Sequence, residues 1–186
     1  MTDDARPARE RILDAAETLF AEAGFEATPT SRIADRAGVP KGLVHYYFAR
    51  KPDLLEALVE RLPDERVDPA AVVVAGDVTE SLNRLVDALD ASLDSSALLS
   101  HLLWREADTH PAVLDALRTR FDLLVHQIRD VIVAALPRCG ADVDSAAHLL
   151  AAAVSYRHSV ARHDDADAAA MRRELTFLAS ALGQPS

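Results

Sequence analysis

The chain has 186 residues, of which 49% are hydrophobic and only 5% aromatic, enough to bury one ordinary core or a small module joined to a larger one. Its single cysteine, Cys139, excludes an internal disulfide framework, and its longest apolar run, Ala70 to Gly76, is far too short for a membrane-spanning helix. Net charge is −10, yet residues 1–51 hold eight Lys/Arg and eight Asp/Glu, so the whole acidic excess falls in residues 52–186; a neutral head on an acidic body is compatible with local phosphate contacts.

Alanine and leucine dominate the apolar set, which favours helices over sheets. The expected fold is all-α. The N-terminus, Met1-Thr-Asp-Asp, is polar and acidic, with no signal-like apolar stretch. With a lone cysteine, this leads us to expect a cytoplasmic protein that does not engage a membrane.

The first helix is predicted from about Arg9 to Ala23. Ile12, Leu13, Ala16, Leu19, Phe20 and Ala23 form one stripe at helical period, and Gly24 stands at the C-cap position. Thr28-Pro29 reads as an N-cap followed by proline at the first helical position. The short helix it opens turns Ile33, Ala34 and Ala37 inward and ends at Gly38. Gly38-Val39-Pro40 is a tight turn into a third helix, Lys41 to Phe48. Lys51-Pro52-Asp53 opens a fourth, which runs to Leu62 before Pro63. From Pro63 to Gly76 the pattern is broken, and Ala71 to Ala75 fits a buried helical turn or a short extended piece equally well.

Asp77-Val-Thr-Glu80 has the spacing of a capping box, and Leu82, Leu85, Val86, Leu89 and Leu93 follow at helical period. A short helix covers Ser96 to Glu106. Pro111 opens a long one, with Leu114, Leu117, Phe121, Leu124, Val125, Ile128 and Ile132 on one face, ending near Pro137. Asp144 caps another, to Arg162, with Leu149, Leu150, Ala153, Val154 and Val160 apolar. The last runs from Asp165 to Leu182, with Met171, Leu175, Leu178 and Leu182 in register. These two final helices, with the small-residue runs Ala151–Ala153 and Ala168–Ala170, are the expected face of a homodimeric four-helix bundle.

The informative stretch is Thr28 to Lys51. Two short helices joined by a glycine turn make a helix-turn-helix, which presents the start of its second helix to the major groove of DNA. Lys41 is a cation at that helix start, Gly42 lets the backbone approach closely, Leu43 suits a thymine methyl, and His45, Tyr46 and Tyr47 bring polar edges. Thr30, Ser31 and Arg32 open the preceding helix, where hydroxyls and free amides hold phosphates. Lys51 stands at the start of the fourth helix. Val44 and Phe48 are expected in the core.

Arg11–Phe20, Gly24-Phe25, Ile33-Ala34, Ala37-Gly38-Val39, Lys41–Phe48, Lys51 and Leu54 together resemble the N-terminal domain of tetracycline-repressor-type (TetR family) regulators, over residues 9–58. That resemblance implies a homodimer on a near-palindromic double-stranded operator, with the third helix as reader. It also implies a C-terminal body whose small-molecule effector releases the DNA. His45 departs from it, since the family usually has tyrosine there. The expected division is a helix-turn-helix domain, residues 1–51, and a ligand-binding and dimerisation domain, residues 52–186.

In that body, His101, Trp104, Arg105, Phe121, His126, Tyr156 and Arg157 are polar or aromatic residues among aliphatics, and so candidate ligand contacts. No metal is expected: His158 and His163, near Asp164 and Asp165, are five apart and do not share a helical face. No cofactor motif, glycine-rich phosphate loop, nucleophile elbow or paired His-Glu metal motif occurs, so the chain is not expected to be an enzyme. The alternative is a DNA-binding regulator whose body only dimerises or binds another protein.

Overall fold

A computed structural model of the chain describes residues 6–62, 66–93, 97–139, 142–159 and 165–183. Among the described residues every regular element is helical: α1 (Ala8–Ala23), α2 (Thr30–Ala37), α3 (Lys41–Tyr47), α4 (Pro52–Val59), α5 (Pro69–Val72), α6 (Val78–Leu93), α7 (Ala97–Glu106), α8 (Pro111–Ala135), α9 (Val143–Ser159) and α10 (Asp165–Leu182). They form two compact units, Met1–Leu62 with Leu98–Leu117, and Pro63–Ala97 with Arg118–Ser186. These differ from a division at residue 51, because α4 and the segment from α7 into the start of α8 pack with the N-terminal helices.

The first unit is built around α1. Ile12, Leu13, Ala16, Leu19 and Phe20 are buried on one stripe, as their spacing requires; Ala23 is exposed instead. Gly24, at φ 85°, ends the helix by donating its N–H to Phe20 O. Thr28 does not cap α2. Its side chain is buried, and its hydroxyl lies 2.8 Å from Gly24 O and 3.2 Å from Leu19 O, tying the loop to the end of α1. Pro29 takes the N-cap position, so α2 begins at Thr30. Leu102, Leu103, Ala107, Val113 and Leu117 complete this core.

The second unit has its own core. Leu82, Leu85, Val86 and Leu89 of α6, Leu124, Ile128 and Ile132 of α8, Leu150 and Val154 of α9, and Met171 and Leu175 of α10 are buried together. Asp77 caps α6, accepting from the Glu80 N–H at 2.9 Å. The undecided stretch before it contains one helical turn, α5, capped by Asp68 and opened by Pro69, after which Val73 is extended. Buried Ser81 fixes that extended piece by accepting from Val74 N–H at 2.9 Å.

Asp142, not Asp144, caps α9: it accepts from Ser145 N–H at 2.9 Å, while Asp144 pairs with Arg129 at 2.8 Å. α8 ends at Ala135, two residues before Pro137. The end of α9 expected at Val160 to Arg162 lies outside the described residues, as does the side chain of Leu93.

Candidate nucleic-acid interface

Gly38 makes the turn between α2 and α3. At φ 63° and ψ 39° it is left-handed, a conformation an L side chain would strain, and its N–H closes onto Ala34 O and Asp35 O. Pro40 then opens α3. Val44 and Phe48, one turn apart, are buried and hold α3 onto the first core. With seven residues, α3 buries one side and must expose the other. Lys41, Gly42, His45, Tyr46 and Tyr47 are exposed. Tyr46 is 79% accessible, and its ring lies 5.2 Å from that of Tyr47, edge to face. Leu43 is half-buried against the core, so only its outer edge is free to meet a partner.

Thr30 and Ser31 are half-buried in the first turn of α2 and Arg32 is exposed. The first amides of a helix have no intrahelical acceptor and attract anions. Lys51, at the start of α4, is held in place: its Nζ lies 4.2 Å from the centroid of the Phe25 ring and 3.3 Å from Glu26 O. The ammonium is thereby fixed where α4 begins.

The candidates in the body scatter. Arg105 belongs to the first unit, where it donates to Phe20 O at 3.0 Å; Trp104, beside it, is exposed. The side chain of His101 lies outside the described residues. Phe121 is half-buried, edge-on to His148 with centroids 5.1 Å apart. Tyr156 is exposed. Arg157 is buried with His158 against one carboxylate: Asp90 Oδ2 is 3.2 Å from the Arg157 guanidinium, and Asp90 Oδ1 is 2.9 Å from His158 Nε2. Burial alone would raise the Asp90 pKa, but the His158 hydrogen bond and the Arg157 charge outweigh it and hold the carboxyl below its usual range.

His126 alone of this set lines a cavity of about 340 Å³, formed by the Arg66–Pro69 segment and α8. The reading of the sequence missed the rest of that lining. The available signal was Leu123, an apolar residue off the buried stripe of α8 and 56% exposed. His163, Asp164 and the side chain of Asp165, the proposed neighbours of His158, lie outside the described residues. Among the described residues no helix is long and apolar enough to cross a membrane.

An all-α protein with a tight helix-turn-helix, whose second helix offers Lys41, His45 and two tyrosines to solvent, is of the helix-turn-helix DNA-binding class. Residues 12–58 match the model of the bacterial regulatory proteins of the tetR family. By that match the helix-turn-helix domain is of the type found in the tetR family of transcriptional regulators. It is 32% identical over 123 residues to the HTH-type transcriptional repressor KstR2 of Rhodococcus jostii, covering 61% of this chain and 59% of that one. It is also 32% identical over 103 residues to the repressor KstR of Mycolicibacterium smegmatis, covering 54% and 50%. The chain thus spans half to three-fifths of the length of these curated relatives. In fold it is similar to Salmonella enterica GusR, with a TM-score of 0.68 at 24% identity over 96% of this chain and 98% of that one. It is likewise similar to SmeT in a SmeT–triclosan complex, with a TM-score of 0.66 at 22% identity over 94% and 89%. The family and these relatives are regulators rather than enzymes.

Proposed function

We propose that the protein is a cytoplasmic, homodimeric repressor that binds a palindromic operator and leaves it when a small molecule occupies the C-terminal unit. The carrying observation is α3. It is anchored by Val44 and Phe48, while Lys41, Gly42, His45, Tyr46 and Tyr47 stand free in solvent. An exposed aromatic cluster has little reason to exist on a soluble surface unless it meets a partner. In this reading Lys41 and the outer edge of Leu43 meet bases. Thr30, Ser31, Arg32, His45, Tyr46, Tyr47 and Lys51 meet the backbone, and the bare Gly42 admits it closely.

Dimerisation is supported by the outer faces of α9 and α10. Leu149 and Tyr156, two turns apart, are 62% and 63% exposed, and Phe177 is 74% exposed. A second copy would cover them, giving the two-fold symmetry that a palindrome requires. The repressor sense follows KstR2 and KstR, and the small-molecule response follows the triclosan-bound SmeT. The test is selection of bound duplexes from random DNA, followed by a mobility-shift titration of Tyr46→Ala. An inverted repeat should emerge, and the variant should bind it at least about tenfold more weakly. Full affinity in the variant would remove α3 from the contact set.

A further inference from the structure

We propose that Phe25 is a positioning residue for DNA binding: its ring, braced by His110, holds the Lys51 ammonium where a phosphate can meet it. This deepens the reading of Lys51 given above and rests on it.

Two neighbouring cations precede α4, and they are held differently. Arg50 is paired with a carboxylate, that of Asp53, at 2.8 Å. Lys51 is held by uncharged groups, the Phe25 ring at 4.2 Å and Glu26 O at 3.3 Å. Among the described residues no carboxylate pairs with it. The first arrangement cancels a charge, whereas the second fixes a charge and leaves it whole. An ammonium has three donors. Glu26 O accepts from one, and the ring attracts the cation through its quadrupole, so donor capacity remains for a phosphate oxygen.

Phe25 is a rigid platform for this purpose. It lies in the loop between α1 and α2, yet it is only 4% exposed. Phe20 packs against it with ring centroids 5.1 Å apart, and His110 stands 4.5 Å away and nearly perpendicular, at 77°. His110 is itself fixed. Its Nδ1 is 3.1 Å from Glu106 O and 2.9 Å from the Thr109 hydroxyl, and its carbonyl accepts from Val113 N–H at 2.9 Å where α8 begins. These groups all belong to the first unit.

The consequence is preorganisation. A free lysine side chain loses rotamer freedom when it meets DNA, and that loss weakens binding. Lys51 is half-buried and already ordered against the ring, so less remains to be lost. A leucine at position 25 fills most of the same space but offers no electron-rich face, so the ammonium is released.

Mobility-shift titration of the selected operator with Lys51→Gln, Phe25→Leu and the double variant tests this, with helicity checked by circular dichroism. Phe25→Leu should weaken binding about threefold, and should add almost nothing when Lys51→Gln is already present. Its slope of log affinity against log salt should stay that of the wild type, because the ammonium still displaces a counterion. His110→Ala should weaken binding about twofold, again only while Lys51 is present. If Phe25→Leu does not fold, phenylalanines of increasing fluorination at position 25 keep the shape of the ring and drain its face of charge; affinity should then fall stepwise. Equal losses from Phe25→Leu in both backgrounds, affinity indifferent to fluorination, or full affinity in His110→Ala would overturn the proposal. Wild-type affinity in Lys51→Gln alone would remove the phosphate contact itself. A clear loss in Lys51→Gln with additive losses from Phe25→Leu would keep that contact and strike only the positioning role.

Discussion

In the N-terminal unit the pairs made by Arg61 and Arg9 lie at the surface. Arg61 meets Asp14 and Glu17 with all three side chains about a third exposed, and Arg9 meets Glu60 in solvent. In the C-terminal unit Arg157 and His158 are buried and share Asp90. The apolar surface is distributed differently too. Tyr46 and Tyr47 of the first unit are exposed aromatics with polar tips, whereas Leu149 and Phe177 of the second have none. A tyrosine can sit against a wet phosphate; a leucine or phenylalanine gains only from apolar cover. The first unit therefore reads as a finished core with a polar working surface. The second is stabilised by a charge network within and exposes apolar side chains that a second copy would cover.

The largest effect that sharpens this contrast is on stability. Asp90→Ala strands a buried guanidinium and removes the partner of His158, and should cost about 3 kcal/mol in urea unfolding. Arg61→Ala breaks pairs that solvent already screens, and should cost about 1 kcal/mol or less. If the two costs proved equal, the buried network would be no different in kind from the surface one. Next in size is assembly. Leu149→Arg combined with Phe177→Arg places charges where apolar cover is expected. Sedimentation should show the dimer dissociating at least tenfold more readily, a change of about 1.4 kcal/mol, with the helices intact. A dimer of undiminished strength would mean that these side chains do not mediate assembly.

The contrast also explains what the sequence made visible. The helix-turn-helix was legible because its signals are local: the stripe from Ile12 to Phe20, the left-handed Gly38, and the pair Val44 and Phe48 against exposed neighbours. Misreadings arose where two residues suit one role. Thr28 and Pro29 both fit a helix start, and only the carbonyls at the end of α1 decide that Thr28 bonds backward. Asp142 and Asp144 both favour a helix N-terminus, and the reach of Arg129 decides between them. In the body the obstacle was distance. Arg105 finds Phe20 O from 85 residues away, and Arg157 finds Asp90 from 67; helical period carries no information on such pairs. Leu149 was legible as apolar, but period alone cannot separate a face turned to the core from one turned outward, and Leu149 is 62% exposed.

A smaller effect separates charge from shape on the reading side. Lys51, fixed between Phe25 and Glu26 O, should act as a point charge on a phosphate. Lys51→Gln should then lower operator affinity by about 1 kcal/mol and reduce the slope of log affinity against log salt by about 0.9. Tyr46→Ala should weaken binding with the slope nearly unchanged, because a phenol releases no counterion. Filter binding from 50 to 200 mM salt distinguishes them, and a Lys51→Gln slope equal to wild type would place its ammonium away from the DNA.

The smallest effect is the response to acid, which should have opposite signs in the two units. Burial, helped by the neighbouring Asp14 charge and opposed by Arg61, raises the Glu17 pKa. The folded first unit holds that proton more tightly than the unfolded chain does. Its contribution is therefore full below the ordinary glutamate range and is lost as pH rises through the raised value. Asp90 is lowered, so its contribution is full above the ordinary aspartate range and is lost as pH falls through the lowered value. Unfolding free energies from pH 7 to pH 3 should show this as two changes of slope. Glu17→Gln should flatten the upper part of the profile, and Asp90→Asn should remove part of the loss at its acid end. Were Asp90→Asn to leave the acid limb as steep as in the wild type, the carboxylate would not be ionised against Arg157 and His158 in the folded state, and the contrast between the two interiors would lose its electrostatic basis.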